Sequence, residues 1–213
     1  VGIFEMPNTN PLTTTPEALE HKIKRGTETA YTDFAYYFGG TFENSKNLPS
    51  WEKLDGVCGI KIFMGASTGN LLSATDEEVE AVVANGNRVI AVHAEDEFLM
   101  NENKKTILKD SNDVGMHCKW RDVNSSLNAT KRVVSLAKKH NRHVHVLHIT
   151  TAEEMDYLRN HKDTATVEVL PNHLTFHAPD CYEQLGTLAQ QNPPIREKHH
   201  QDALWQAIND GTV

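Results

Sequence analysis

Six short runs of the chain, at 1–6, 32–37, 57–64, 88–93, 143–148 and 166–170, are near-continuously apolar instead of alternating with polar residues. Runs of that length and character predict strands covered on both faces, as in a parallel sheet. The segments between them carry helix signals. Thr15-Pro16-Glu17 sets an N-cap before a first-turn proline and acid. Thr75-Asp76-Glu77-Glu78 and Thr151-Ala152-Glu153-Glu154 both predict capping boxes. Over 123–140, Leu127, Val133, Val134, Leu136 and Ala137 fall at helical spacing, and Lys138-Lys139-His140 complements the dipole at the end. A last helix at roughly 198–210 carries Trp205. Six strand–helix units without hairpins predict an α/β fold. The first run is not followed by a glycine-rich phosphate loop, which counts against a dinucleotide-binding sheet. The unit length scales instead to a (β/α)8 TIM barrel. The stretches 97–121 and 171–197 read as irregular loops over the barrel mouth.

Composition narrows the function classes. At 213 residues and 38% hydrophobic, the chain can bury one sizeable core, so a single domain over 1–213 is expected. A net charge of -8 with no basic stripe excludes a nucleic-acid partner. The apolar runs are far too short to span a bilayer as helices, so no membrane partner is expected. The opening VGIFEMPNTNP is strand-like and has no basic n-region of a signal peptide. Three cysteines with no CxxC fit a reducing cytoplasm, and exclude a disulfide framework or a cysteine-based zinc site. A chain that starts within a strand is expected to be part of something longer.

Polar residues interrupt the strands at one end. On a barrel strand alternate residues face inward, and chemistry gathers at the C-terminal ends. By simple alternation Val57, Gly59 and Lys61 share a face, as do Val89, Ala91 and His93, and Val144, Val146 and His148. His143 and His145 then fall on the opposite face, as structural residues. A single histidine at a strand end is more often a hydrogen-bonded structural group, and a strand lysine usually extends to solvent. Three successive strands delivering Lys61, His93 and His148 to one rim instead predict a shared metal site, histidine being the commonest metal ligand. Desolvation makes a buried lysine a neutral amine. Such an amine can add carbon dioxide and become a carbamate, a carboxylate on a long arm able to bridge two divalent cations.

The strings MPNTNP (6–11), GIKIFMGAS (59–67), VHAED (92–96), HVLHITTAEE (145–154) and NPPIRE (192–197) resemble, in order and spacing, the motifs of the dihydroorotases, cyclic amidohydrolases of the amidohydrolase superfamily. The resemblance spans nearly the whole chain. It implies a (β/α)8 barrel with two zinc ions and a bridging hydroxide. The reaction would interconvert N-carbamoyl-L-aspartate and L-dihydroorotate in pyrimidine biosynthesis. On it Lys61 is the carboxylated lysine bridging both metals, and His93 and His148 hold the more exposed one. Asn8 helps bind the carboxylate of a small-molecule substrate and Asn192 contacts its ring. Read without the family, Asn8 is a turn residue and Asn192 caps Pro193-Pro194. Asn172, in LPNHL, stands where the family often has histidine. The His-x-His-x-Arg and Ser-Asp-His-Ala-Pro motifs of the family's first and last strands are absent from the chain. The resemblance therefore predicts strands two to seven of a barrel, inactive by itself, with a homodimer as an allowed assembly. A dihydropyrimidinase or hydantoinase would share the metal core, and a non-catalytic scaffold would lack zinc.

Overall fold

The computed structural model describes residues 2–65, 71–109 and 111–213; Val1 and the last two residues of GIKIFMGAS lie outside them. β1 (Gly2–Glu5) leads to α1 (Pro16–Thr29), β2 (Asp33–Gly39) to the single turn α2 (Leu48–Trp51), β3 (Val57–Phe63) to α3 (Asp76–Val83), and β4 (Ile90–His93) to α4 (Glu97–Ile107). α5 (His117–Trp120) and α6 (Val123–Lys139) precede β5 (Val144–Val146), and α7 (Ala152–Arg159) precedes β6 (Ala165–Val167). α8 (Pro171–Thr175), α9 (Asp180–Leu185) and α10 (Lys198–Asn209) follow. All six strands pair in parallel in the order of the chain, forming half of a barrel. Among the described residues no helix is long and apolar enough to cross a membrane.

The helix starts follow their caps. Thr15 accepts from the Ala18 amide, and Thr75 and Glu78 close a full capping box. At α7 the predicted box is only half made. Thr151 accepts from the Glu154 amide, but the buried Glu154 carboxylate is drawn off by the hydroxyls of Thr130 on α6 and Thr151 itself. Part of the expected loop at 97–121 is helical, because the Asp96 carboxylate accepts from the Phe98 and Leu99 amides and starts α4. That helix buries only Met100, so its apolar stripe is too thin to announce itself. The second expected loop likewise contains the short α8 and α9.

The core lies on the helix-covered face of the sheet. Ile60, Ile90 and Val144 line up across three strands, and Ile62, Val92 and Val146 form the next row. Leu19, Val79, Val82, Val133, Val134, Met155, Leu158 and Leu204 pack on them from the helices. Burying a side chain of this size contributes roughly 1.5–3 kcal/mol, so this face supplies most of the cohesion.

The opposite face is the barrel interior, and here two predicted faces need correction. Gly39, Lys61, Ala91, His145 and Thr166 form one row across it, with Phe63 and His93 in the row above. Val144 and Val146 belong to the helix-covered core, so His145 points inward and is not on the outer face as alternation suggested. Val57 also packs into that core: a register shift between Tyr36 and Tyr37 pairs Tyr36 with Val57 and Tyr37 with Gly59. Simple alternation fails across such a bulge.

Candidate functional site

Lys61 and His93 are delivered by regular strand register. Lys61 is 1% exposed, and its Nζ donates to the Ile62 carbonyl at 3.0 Å and lies 4.1 Å from the centre of the Phe63 ring. Burial pushes its pKa well down, against the opposing pull of Glu168. His93 ends β4, 5% exposed, with its ring stacked at 6.0 Å from Phe63.

His148 arrives differently. β5 ends at Val146, and the chain then turns His148 inward through a left-handed backbone at φ 40°. Histidine enters that region more readily than most residues other than glycine, yet still at a cost, and such strain gathers at functional sites. The Glu168 carboxylate accepts the His148 amide at 3.2 Å and so pins the turn. The two rings meet edge to face, 4.8 Å between centres. Structure thus brings Lys61, His93 and His148 together, as expected, though by a different route for the third.

The electrostatics favour uncharged nitrogen. Burial lowers the pKa of His93, the Glu95 hydrogen bond opposing it. Burial drives His148 well below the ordinary imidazole value, and the neighbouring His93, Lys61 and His173 push the same way. The Nδ1 of His148 is buried with no hydrogen-bond partner among the described residues. Two neutral imidazoles, one of them with an orphaned buried nitrogen, are ligand types that a zinc site uses. Among the described residues no group of three or more His, Cys, Asp or Glu side chains could hold a metal ion. The two histidines would need a third donor, which Lys61 would supply as a carboxylate.

Asn8 and Asn192 are both exposed, on the segments after β1 and before α10. Asn192 hydrogen-bonds the imidazole of His117, and the exposed Asn172 donates to the Gln191 side-chain oxygen at 2.8 Å.

Sequence reasoning passed over four residues. Glu95, fully buried, bonds His93 Nε2 at 2.6 Å and Arg121 on its other side. Burial alone would raise the Glu95 carboxyl, but His93 and Arg121 hold it at about 2. The acidic turn in VHAED was the signal for it. Glu168 stands near Lys61, His148 and His145, whose Nε2 is 3.5 Å away. Phe63 forms the wall shared by Lys61 and His93, and nothing distinguishes it in the sequence from a core phenylalanine. The inner face below the site is open, a cavity of about 340 Å3 lined in part by Tyr37, His145, Thr166 and Glu168.

No family model matches the chain. The dihydroorotase of Methanosarcina acetivorans is 31% identical over 222 residues, covering 99% of this chain and 47% of that protein. The allantoinase of Arabidopsis thaliana is 28% identical, covering 99% of this chain and 45% of its own length. The solved L-hydantoinase (dihydropyrimidinase) of Arthrobacter aurescens superposes with a TM-score of 0.91 at 26% identity, over 100% of this chain and 48% of that one. The chain therefore spans about half the length of the relatives it matches. Along its whole length, in sequence and in fold, it is similar to the cyclic amidohydrolases, and its six strands are a partial barrel of their type.

Proposed function

We propose that this chain carries the metal-binding wall of a cyclic amidohydrolase, and that the reaction is that of a dihydroorotase. Substrate would be N-carbamoyl-L-aspartate, closing reversibly to L-dihydroorotate. The observation that carries the reading is Lys61: a lysine 1% exposed, beside two imidazoles, whose Nζ makes its hydrogen bond to a strand carbonyl. A structural lysine would carry its ammonium to water or to a carboxylate.

Each residue has a task in that reading. Lys61, kept neutral by burial, adds carbon dioxide; a nitrogen–carbon bond forms, a proton leaves, and the product is a carbamate. His93 and His148 offer neutral nitrogens, and with the carbamate would hold the metal. Zinc, when bound, supplies Lewis-acid polarisation of the ring carbonyl and lowers the pKa of water. Phe63 excludes water from the amine. Asn8, exposed after β1, would grip the carboxylate of the substrate, and Asn192 its ring.

A hydantoinase-type reaction is the second reading, favoured by the TM-score of 0.91 to an L-hydantoinase. It needs no grip on a ring carboxylate, so MPNTNP and the 31% identity to a dihydroorotase weigh for the first reading. Two measurements on the full-length protein test both. Turnover of dihydroorotate against dihydrouracil separates the reactions, a preference for dihydrouracil overturning the first. Replacing Lys61→Ala should abolish zinc binding and turnover; zinc content and activity equal to wild type would end the metal reading.

A further inference from the structure

VHAED ends β4 on His93 and sends the chain on through a carboxylate that is 0% exposed. Glu95 Oε2 lies 2.6 Å from His93 Nε2. The same carboxylate takes the Nε–H of Arg121 at 3.0 Å and a second Arg121 N–H, from Nη2. A carboxylate clamped by a guanidinium is ionised and can only accept. The bond from His93 then runs one way, Nε2–H to Glu95. An imidazole with its proton on Nε2 carries its lone pair on Nδ1.

The clamp is itself fastened. The Arg121 carbonyl accepts from Arg196 Nη1 at 3.0 Å, and Arg196 also donates to Thr150 Oγ1 and Ser126 Oγ, each at 2.8 Å. Arg196, the arginine of NPPIRE, is 4% exposed and ties the Arg121 loop to the segment between β5 and α7 and to the start of α6. Gly65 lets the end of β3 approach: a Cβ there would sit 2.5 Å from the Glu95 carbonyl oxygen.

We propose that Glu95, backed by Arg121, is a positioning residue that fixes His93 as the Nε2–H tautomer and turns Nδ1 toward the metal. The proposal rests on the reading of His93 as a metal ligand. Outer carboxylates that orient a ligating histidine typically change metal affinity by about 10–100-fold.

The test uses the full-length protein. In long-range 1H–15N spectra of the metal-free wild type, His93 should show Nε2 protonated and Nδ1 bare; a proton on Nδ1 overturns the proposal with no variant needed. Zinc affinity is then read by chelator competition. His93→Ala should lose affinity, and if it binds zinc as wild type does, the metal reading falls and the proposal with it. Glu95→Gln keeps the shape but puts an amide that can donate as well as accept beside the ring, so it should release the tautomer, with protonated Nδ1 appearing in the same spectra, and bind zinc at least about tenfold more weakly. If His93→Ala loses zinc while Glu95→Gln matches wild type, the positioning role is wrong and the metal reading survives.

Discussion

The two histidines that meet at 4.8 Å are held in opposite ways. His93 is the last residue of a strand, in ordinary extended backbone, with a buried carboxylate bonded to its ring and a guanidinium behind that. His148 lies two residues beyond its strand, in a left-handed conformation, with one ring nitrogen buried and unpartnered among the described residues. The first is preorganised by bonds made at no backbone cost. The second is aimed by strain that its own side chain does not relieve. A single site can combine both, because what pins His148 is its amide on Glu168 and not its ring.

The largest effect should appear on the His93 side. Arg121→Met leaves Glu95 buried without its guanidinium, and breaking a buried pair by removing one partner destabilises by roughly 3–5 kcal/mol. Denaturant unfolding of the full-length protein measures this. The matching change beside His148, Glu168→Gln, touches a carboxylate side chain 37% exposed and keeps an acceptor for the amide. It should cost below about 1 kcal/mol. Equal losses from the two variants would erase the distinction between a braced ligand and a strained one.

The contrast also shows what was legible in the chain. Lys61 and His93 lie within continuous strands, where the near-continuous apolar runs fix the elements, and both reach the rim as the pattern says. His148 does lie beside His93 and Lys61, but not for the reason alternation gave. Val144 and Val146 pack under the helices, so alternation would have sent His148 outward, and only the φ of 40° brings it back. A positive φ on histidine leaves no mark in composition. The bulge that moves Val57 to the outer core is equally silent, since it follows from how β2 and β3 pair. Glu95 and Arg121 are 26 residues apart, and the pair is a product of tertiary folding. The strands, caps and donor types could be read locally; the supports of the site could not.

A third histidine extends the comparison to a ring with no role at the site. His200 Nδ1 accepts the Ala152 amide at 3.1 Å, at the start of α7, so here the buried nitrogen does have its partner. Burial, with His199 and Arg196 adding like charge against Glu153 and Glu197, lowers its pKa to about 4. The unfolded ring titrates near the ordinary imidazole value, so between the two values the unfolded chain holds more protons. Stability from this group is complete above that ordinary value and is lost as pH falls through about 4. His200→Gln retains an acceptor that does not titrate. It should flatten the acid limb of the stability–pH curve by about 3 kcal/mol. An unchanged limb would mean that the ring is not held neutral by the Ala152 bond.

The smallest effect has the opposite sign. If His148 is held by strain for the sake of the site, removing it should not harm the fold. His148→Gly places at φ 40° the one residue for which the left-handed region carries no steric penalty. Relief of a strained non-glycine residue is worth on the order of 1–3 kcal/mol. Against this stand the added chain entropy of glycine, roughly 0.5–1 kcal/mol, and the contacts of a half-buried ring. The substitution also deletes an unsatisfied buried nitrogen, which is a gain. Net stability should stay level or rise by about 1 kcal/mol, while zinc affinity falls sharply. His93→Ala supplies the other arm: it strips the Glu95–Arg121 clamp of its third member and should destabilise. Thermal unfolding of the two variants in metal-free buffer decides the matter. Should His148→Gly lose as much stability as His93→Ala, the left-handed turn is part of the fold's own packing and not a conformation kept for a ligand.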